Sequence, residues 1–160
     1  MNLSCCKSRL LVFVSTVIII LNSFLDIAEG VAFTDCGSGT GTVLDVHLQD
    51  CVMHENKLCY IDTQNKTFVR FGIHFITEIG MYDTVTSVGT ARKWGLHTQV
   101  FSKLDICNDS LSCPLQPDKH FYSDDVPLPS WVPKGEANVQ WKLSSGSNEI
   151  LCVEVDVNVL

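Results

Sequence analysis

From Leu151 to Val159 the chain alternates without a break. Leu151, Val153, Val155, Val157 and Val159 fall on one side, and Cys152, Glu154, Asp156 and Asn158 on the other. A period of two in β-branched residues marks a half-buried β-strand. The same pattern recurs upstream. Leu44, Val46 and Leu48 alternate with Asp45, His47 and Gln49. Val69, Phe71, Ile73 and Phe75 alternate with Arg70, Gly72 and His74. Val139, Trp141 and Leu143 alternate with Asn138, Gln140 and Lys142. Shorter candidates are 58–61, 84–88, 96–101 and 119–122, and turn-forming residues separate them at 37–41, 62–65, Gly80, Gly89, Lys134-Gly135 and 144–148. After residue 30 no stretch shows a helical period. Roughly seven or eight strands, each with one apolar face, can bury those faces only on each other, so the expected fold is all-β, two antiparallel sheets packed as a sandwich. Pro127, Pro129 and Pro133 exclude a central strand there and predict an edge or a long crossing loop.

The first thirty residues read as an address. Lys7 and Arg9 precede an apolar run from Leu10 to Leu21 broken only by Ser15 and Thr16. That run is short for a bilayer and suited to a signal peptide, with small residues predicting cleavage after Gly30 or Ala32. The mature domain is then 31–160. Cleavage after Gly30 removes Lys7, Arg9, Asp26 and Glu29 and leaves the net charge at −7. It also removes Cys5 and Cys6, leaving Cys36, Cys51, Cys59, Cys107, Cys113 and Cys152. An even number in a secreted chain reads as three disulfides, with fifteen pairings open. Closing the short loops 51–59 and 107–113 is the simplest local choice; it leaves Cys36 to join the start of the mature chain to the outer face of its last strand. Sequons at Asn65 and Asn108 are candidate glycosylation sites and fit secretion.

An acidic chain with pI near 5.0 is a poor nucleic-acid binder. The Gly37-Ser38-Gly39-Thr40-Gly41 run lacks the third glycine of a dinucleotide loop, because Thr42 holds that position, and reads as a turn after Cys36. Cys51, His54 and Cys59 have metal-like spacing, but in an oxidising compartment the cysteines read as disulfides and no metal is expected. There is no nucleophile elbow, and the serines and five histidines form no hydrolase pattern. His74 reads as a surface residue and Asp124-Asp125 as a solvated loop. No enzyme activity and no cofactor are expected.

What remains is apolar: Phe71, Ile73, Phe75, Phe101, Phe121, Leu128, Val132, Val139 and Trp141 are the candidate inward residues. Periodicity assigns a face and leaves open whether the interior is filled or hollow. A filled sandwich would act as a protein-interaction module, such as an immune or receptor-associated factor. A hollow one would hold an apolar guest.

The ordered set of motifs resembles the ML lipid-recognition family, in its branch of Niemann–Pick type C cholesterol carriers and mite group-two allergens. The resemblance runs from Phe33-Thr34-Asp35-Cys36-Gly37 through the Cys51/Cys59 pair, the sequon at Asn65 before an apolar strand, Cys107 to Cys113-Pro114-Leu115 with Phe121 beyond, and Trp141-Lys142-Leu143 before Cys152. It implies an immunoglobulin-like sandwich, pairings Cys36–Cys152, Cys51–Cys59 and Cys107–Cys113, and an apolar pocket between the sheets for a sterol, fatty acid or other lipid. By position, Phe101, Leu128, Val132, Val139 and Trp141 resemble the family's pocket-lining residues. The chain departs from the carriers in having Gln99-Val100-Phe101-Ser102 without a proline, and Val132 in place of a tyrosine, with Trp131 adjacent. These departures bear on which lipid fits. The expectation is a monomer, secreted or in the lysosomal lumen, whose partners are a lipid ligand and a membrane receptor or lipid transporter.

Overall fold

The computed structural model describes residues 30–55, 58–64, 66–107, 109–129 and 132–160. The leader 1–29, both sequon asparagines Asn65 and Asn108, and Trp131 lie outside the described residues. Ten strands form, and among the described residues there is no helix. In chain order they are β1 (Thr34–Asp35), β2 (Gly41–Leu48), β3 (Cys51–Met53), β4 (Cys59–Ile61), β5 (Phe68–Thr77), β6 (Thr86–Lys93), β7 (Leu96–Lys103), β8 (Lys119–Pro127), β9 (Gly135–Ser145) and β10 (Asn148–Val159). One sheet has seven strands, in the order β3-β4-β10-β9-β6-β7, with β1 also against β10; the other has three, in the order β2-β5-β8. Pairing is antiparallel except between β4 and β10, which run parallel over Cys59–Ile61.

The alternating terminal strand is the longest, and its valines are buried along one face. Leu143, Leu151 and Val153 of the large sheet share the core with Ile73, Phe75 and Tyr122 of the small one. The segment after β7 closes this end. Ile106, Leu111 and Leu115 are buried there, Cys107 is bonded to Cys113, and Tyr82 and Leu115 exchange both backbone hydrogen bonds. Cys36 is bonded to Cys152 and Cys51 to Cys59. Cys152 lies on the face away from the valines yet is fully buried, because the N-terminal segment covers it; its backbone N–H donates to Ser38 Oγ at 3.1 Å.

Three local expectations need correction. Leu44 does not share a face with Val46: the register of β2 against β5 shifts between Val43 and Asp45, Val43 packs on the core instead, and Leu44 is exposed. A bulge of this kind adds one residue to one strand and reverses every side chain before it. Asp124 and Asp125 are not in a loop but in β8, facing opposite ways: Asp125 pairs with Arg70 and Asp124 with Lys103. Gly89 is not a turn: it lies inside β6, between Phe101 of β7 and Trp141 of β9. The proline segment is as expected: β8 is an edge strand ending at Pro127, and the chain then crosses to the other sheet.

Candidate functional site

At the end of the sandwich opposite the Cys107–Cys113 loop the sheets do not meet. A cavity of about 550 Å³ lies between them, a size typical of ligand sites. Here β2, β4, β8 and β10 finish and β5 and β9 begin. One wall carries Val69 and Phe71 from β5 and Val126 from β8; the facing wall carries Ala137, Val139 and Trp141 from β9 and Val155, Val157 and Val159 from β10. The rim is formed by the β6–β7 turn, with Lys93, Trp94 and Leu96, and by the crossing loop, with Leu128, Pro129, Val132 and Pro133.

Exposure separates mouth from closed end. Trp94 is 83% exposed and Leu96 69%, whereas Phe71 and Trp141 are 2% and 1% exposed. The Trp94-Gly95 pair joins Lys93 to Leu96 as a two-residue hairpin turn with φ of 52° and 79°. Both values lie in the left-handed region required by the tight turn that matches strand twist, and glycine adopts it freely while tryptophan does not.

Trp141 forms the closed end. Its ring stacks on Phe71 at 4.3 Å and on Phe101 at 5.0 Å. The neighbouring β6 residue is Gly89, where an added Cβ would lie 2.8 Å from the indole, so only glycine leaves room for the ring. The indole Nε1–H donates to Ser87 Oγ at 2.9 Å. The Tyr122 hydroxyl lies 2.9 Å from the same Ser87 oxygen and 3.3 Å from Asp124 Oδ2, and Lys103 Nζ donates to that carboxylate at 2.9 Å. Burial, with the Asp124 charge nearby, pushes the Tyr122 phenol well above its ordinary range and keeps it neutral. Lys103 is raised by its bonds to Asp109 and Asp124. The polar atoms behind the closed end are thus bonded to one another, and the surface facing the cavity there is hydrocarbon. Among the described residues, the polar lining side chains are Lys93, Thr98 and Gln99.

Of the nine residues proposed from sequence, Phe71, Leu128, Val132, Val139 and Trp141 come together around the cavity. Phe101 stands behind Trp141. Ile73 and Phe75 are fully buried in the filled half. Phe121 faces out: it pairs with His74, which alternates with the inward Ile73, and the two rings lie tilted with centroids 4.4 Å apart. Lys93, Trp94 and Leu96 were not singled out, although Trp-Gly between two strand patterns was a visible turn signal. Among the described residues no group of three or more His, Cys, Asp or Glu could hold a metal.

Comparison with known proteins agrees with this architecture. A family model described as ML domain matches residues 30–159. The chain is 29% identical over 143 residues to NPC intracellular cholesterol transporter 2 homolog a of Drosophila melanogaster, covering 82% of this chain and 89% of that protein. It is 27% identical over 150 residues to NPC intracellular cholesterol transporter 2 of Danio rerio, covering 89% and 95%. Among solved structures it is similar to a Niemann-Pick type C2 protein from Japanese carpenter ant, with a TM-score of 0.69 at 20% identity over 81% of this chain and 99% of that one. It is also similar to the C-terminal domain of wzt, with a TM-score of 0.52 at 12% identity over 80% and 78%. At these identities the structural likeness is one of fold. With the family model spanning nearly all of the described residues, the chain belongs to the ML domain family.

Proposed function

We propose that this protein binds a lipid between its two sheets and carries or presents it without chemical change. The observation that carries this reading is the 550 Å³ cavity with its hydrocarbon closed end. At about 30 Å³ per heavy atom, the share of a liquid water, it takes roughly 15–20 atoms of hydrocarbon. Each methylene moved from water into such a slot contributes about 0.8 kcal/mol. Ten methylenes thus give about 8 kcal/mol before ordering costs, enough for roughly micromolar affinity or somewhat weaker. Relatives named as cholesterol transporters support a sterol, and the apolar lining equally supports a fatty acid. The cavity argues against a filled interaction module. Secretion, occupancy of the Asn65 and Asn108 sequons, a monomeric state and delivery to a membrane receptor or lipid transporter complete the proposal.

The test is uptake of a fluorescent sterol or fatty acid by delipidated protein with its disulfides intact, followed by native mass spectrometry. One lipid per chain is expected. Val139→Trp, which fills the slot from its wall, should weaken uptake at least about tenfold while the unfolding midpoint holds. Wild-type protein that takes up neither lipid class ends the carrier reading.

A further inference from the structure

We infer that the preferred guest is an amphiphile with an anionic head, of which a long-chain fatty carboxylate is the simplest case, held tail-inward with its charge at Lys93. This rests on the carrier reading above and specifies its ligand.

Lys93 is the one charged side chain lining the cavity among the described residues. Its ammonium is fixed at the rim by Pro133 O at 3.3 Å and Lys134 O, two carbonyls of the loop that crosses the mouth, and it lies 4.9 Å from the centre of the Trp94 ring. Carbonyl dipoles and an aromatic face orient a cation without neutralising it. Of the other described cations, Lys66, Arg70, Arg92, Lys103 and Lys142 each reach a carboxylate; Lys119 and Lys134 do not, but neither lines the cavity. No described carboxylate lies within ion-pair distance of Lys93, although the protein carries a net charge of −7. Glu136, the nearest acid in the strand behind the loop, is exposed, and it alternates with Ala137, which lines the cavity. An acidic protein therefore presents an uncompensated positive charge at the entrance to the apolar slot between its sheets.

The closed end fixes the orientation. The indole N–H of Trp141 is already given to Ser87, so a polar head pushed inward would find no partner and would lose its hydration. A head left at the mouth keeps water on one side and meets an ammonium on the other. A charge-assisted bond there is stronger than one to a neutral hydroxyl, and the half-exposed setting tempers the difference.

The experiment compares oleate with oleyl alcohol, which share a tail and differ in head charge. Both are titrated into delipidated wild type, Lys93→Gln and Lys134→Gln by displacement of a fluorescent probe, with circular dichroism verifying each fold. Wild type should bind oleate about tenfold more tightly than the alcohol, and added salt should shrink that ratio. Lys93→Gln should bring the ratio near one by weakening oleate alone, and Lys134→Gln should leave most of it. Equal wild-type affinities, or a ratio untouched by Lys93→Gln, overturn the inference and leave the carrier reading standing. Binding of neither ligand, nor of a sterol, removes the carrier reading itself.

Discussion

Trp94 shows how one residue can serve a surface at the expense of the backbone. It holds φ at 52° in a position suited to asparagine or glycine, and it is 83% exposed. A left-handed backbone costs an ordinary L-residue roughly 1–2 kcal/mol. Trp94→Asn should accordingly raise stability by about 1 kcal/mol in urea unfolding, while weakening lipid uptake through loss of the aromatic rim. Ser87 behaves in the opposite way. It is fully buried and partners both the Trp141 indole and the Tyr122 phenol. Ser87→Ala leaves an indole N–H without its acceptor and should cost about 1–3 kcal/mol, read as a lowered urea midpoint with a shift in tryptophan fluorescence. Neither role is visible in the sequence. A serine in an alternating stretch looks like any surface serine until the indole that reaches it from β9 is in place.

At the scale of the element, strand placement was largely legible because a period of two survives as long as one face is buried. The stretches around residues 69–75, 139–143 and 151–159 all form strands. Legibility failed where two strands negotiate their register. The bulge at Val43–Asp45 is a property of the β2–β5 pair and cannot be read from β2. The three-residue β3 is too short to show a period and exists because it pairs with β4. The turn after β1 carries a testable electrostatic term. Asp35 accepts hydrogen bonds from the backbone N–H groups of Gly37 and Ser38, each at 2.8 Å, and these hold its carboxyl below the usual 3.8. A lowered carboxyl stabilises the fold above its unfolded value and loses that contribution as pH falls through the folded one. Hydrogen exchange at the Gly37 and Ser38 amides should therefore be slow, relative to intrinsic rates, above about pH 4 and lose that protection below it. Asp35→Asn should lose most of that pH dependence.

The whole molecule is a sandwich closed at one end and parted at the other. Of the nine residues that sequence marked as inward, Phe121 faces out and five surround the cavity. Sequence could not mark the gap, because Phe75 and Phe71 occupy equivalent places in one alternating pattern and only the distance between sheets distinguishes packing from lining. That distance is set globally, by the Cys107–Cys113 segment filling one end. The Cys36–Cys152 bond acts at the same scale. It links residues 116 apart, and a loop of that length restricts the unfolded chain by about 4–5 kcal/mol in the chain-entropy account. Replacing both cysteines by serine should lower the denaturant midpoint accordingly. The Cys51–Cys59 pair, 8 apart, should contribute about 2–3 kcal/mol by the same reasoning.

The packing of Ile106, Leu111 and Leu115 against one margin of both sheets makes that margin a spine. The two leaves are joined along it as a book's covers are at the binding, and they stand apart at the opposite margin, where the cavity lies. Open space and durability of the fold are in this way assigned to opposite margins of the same molecule.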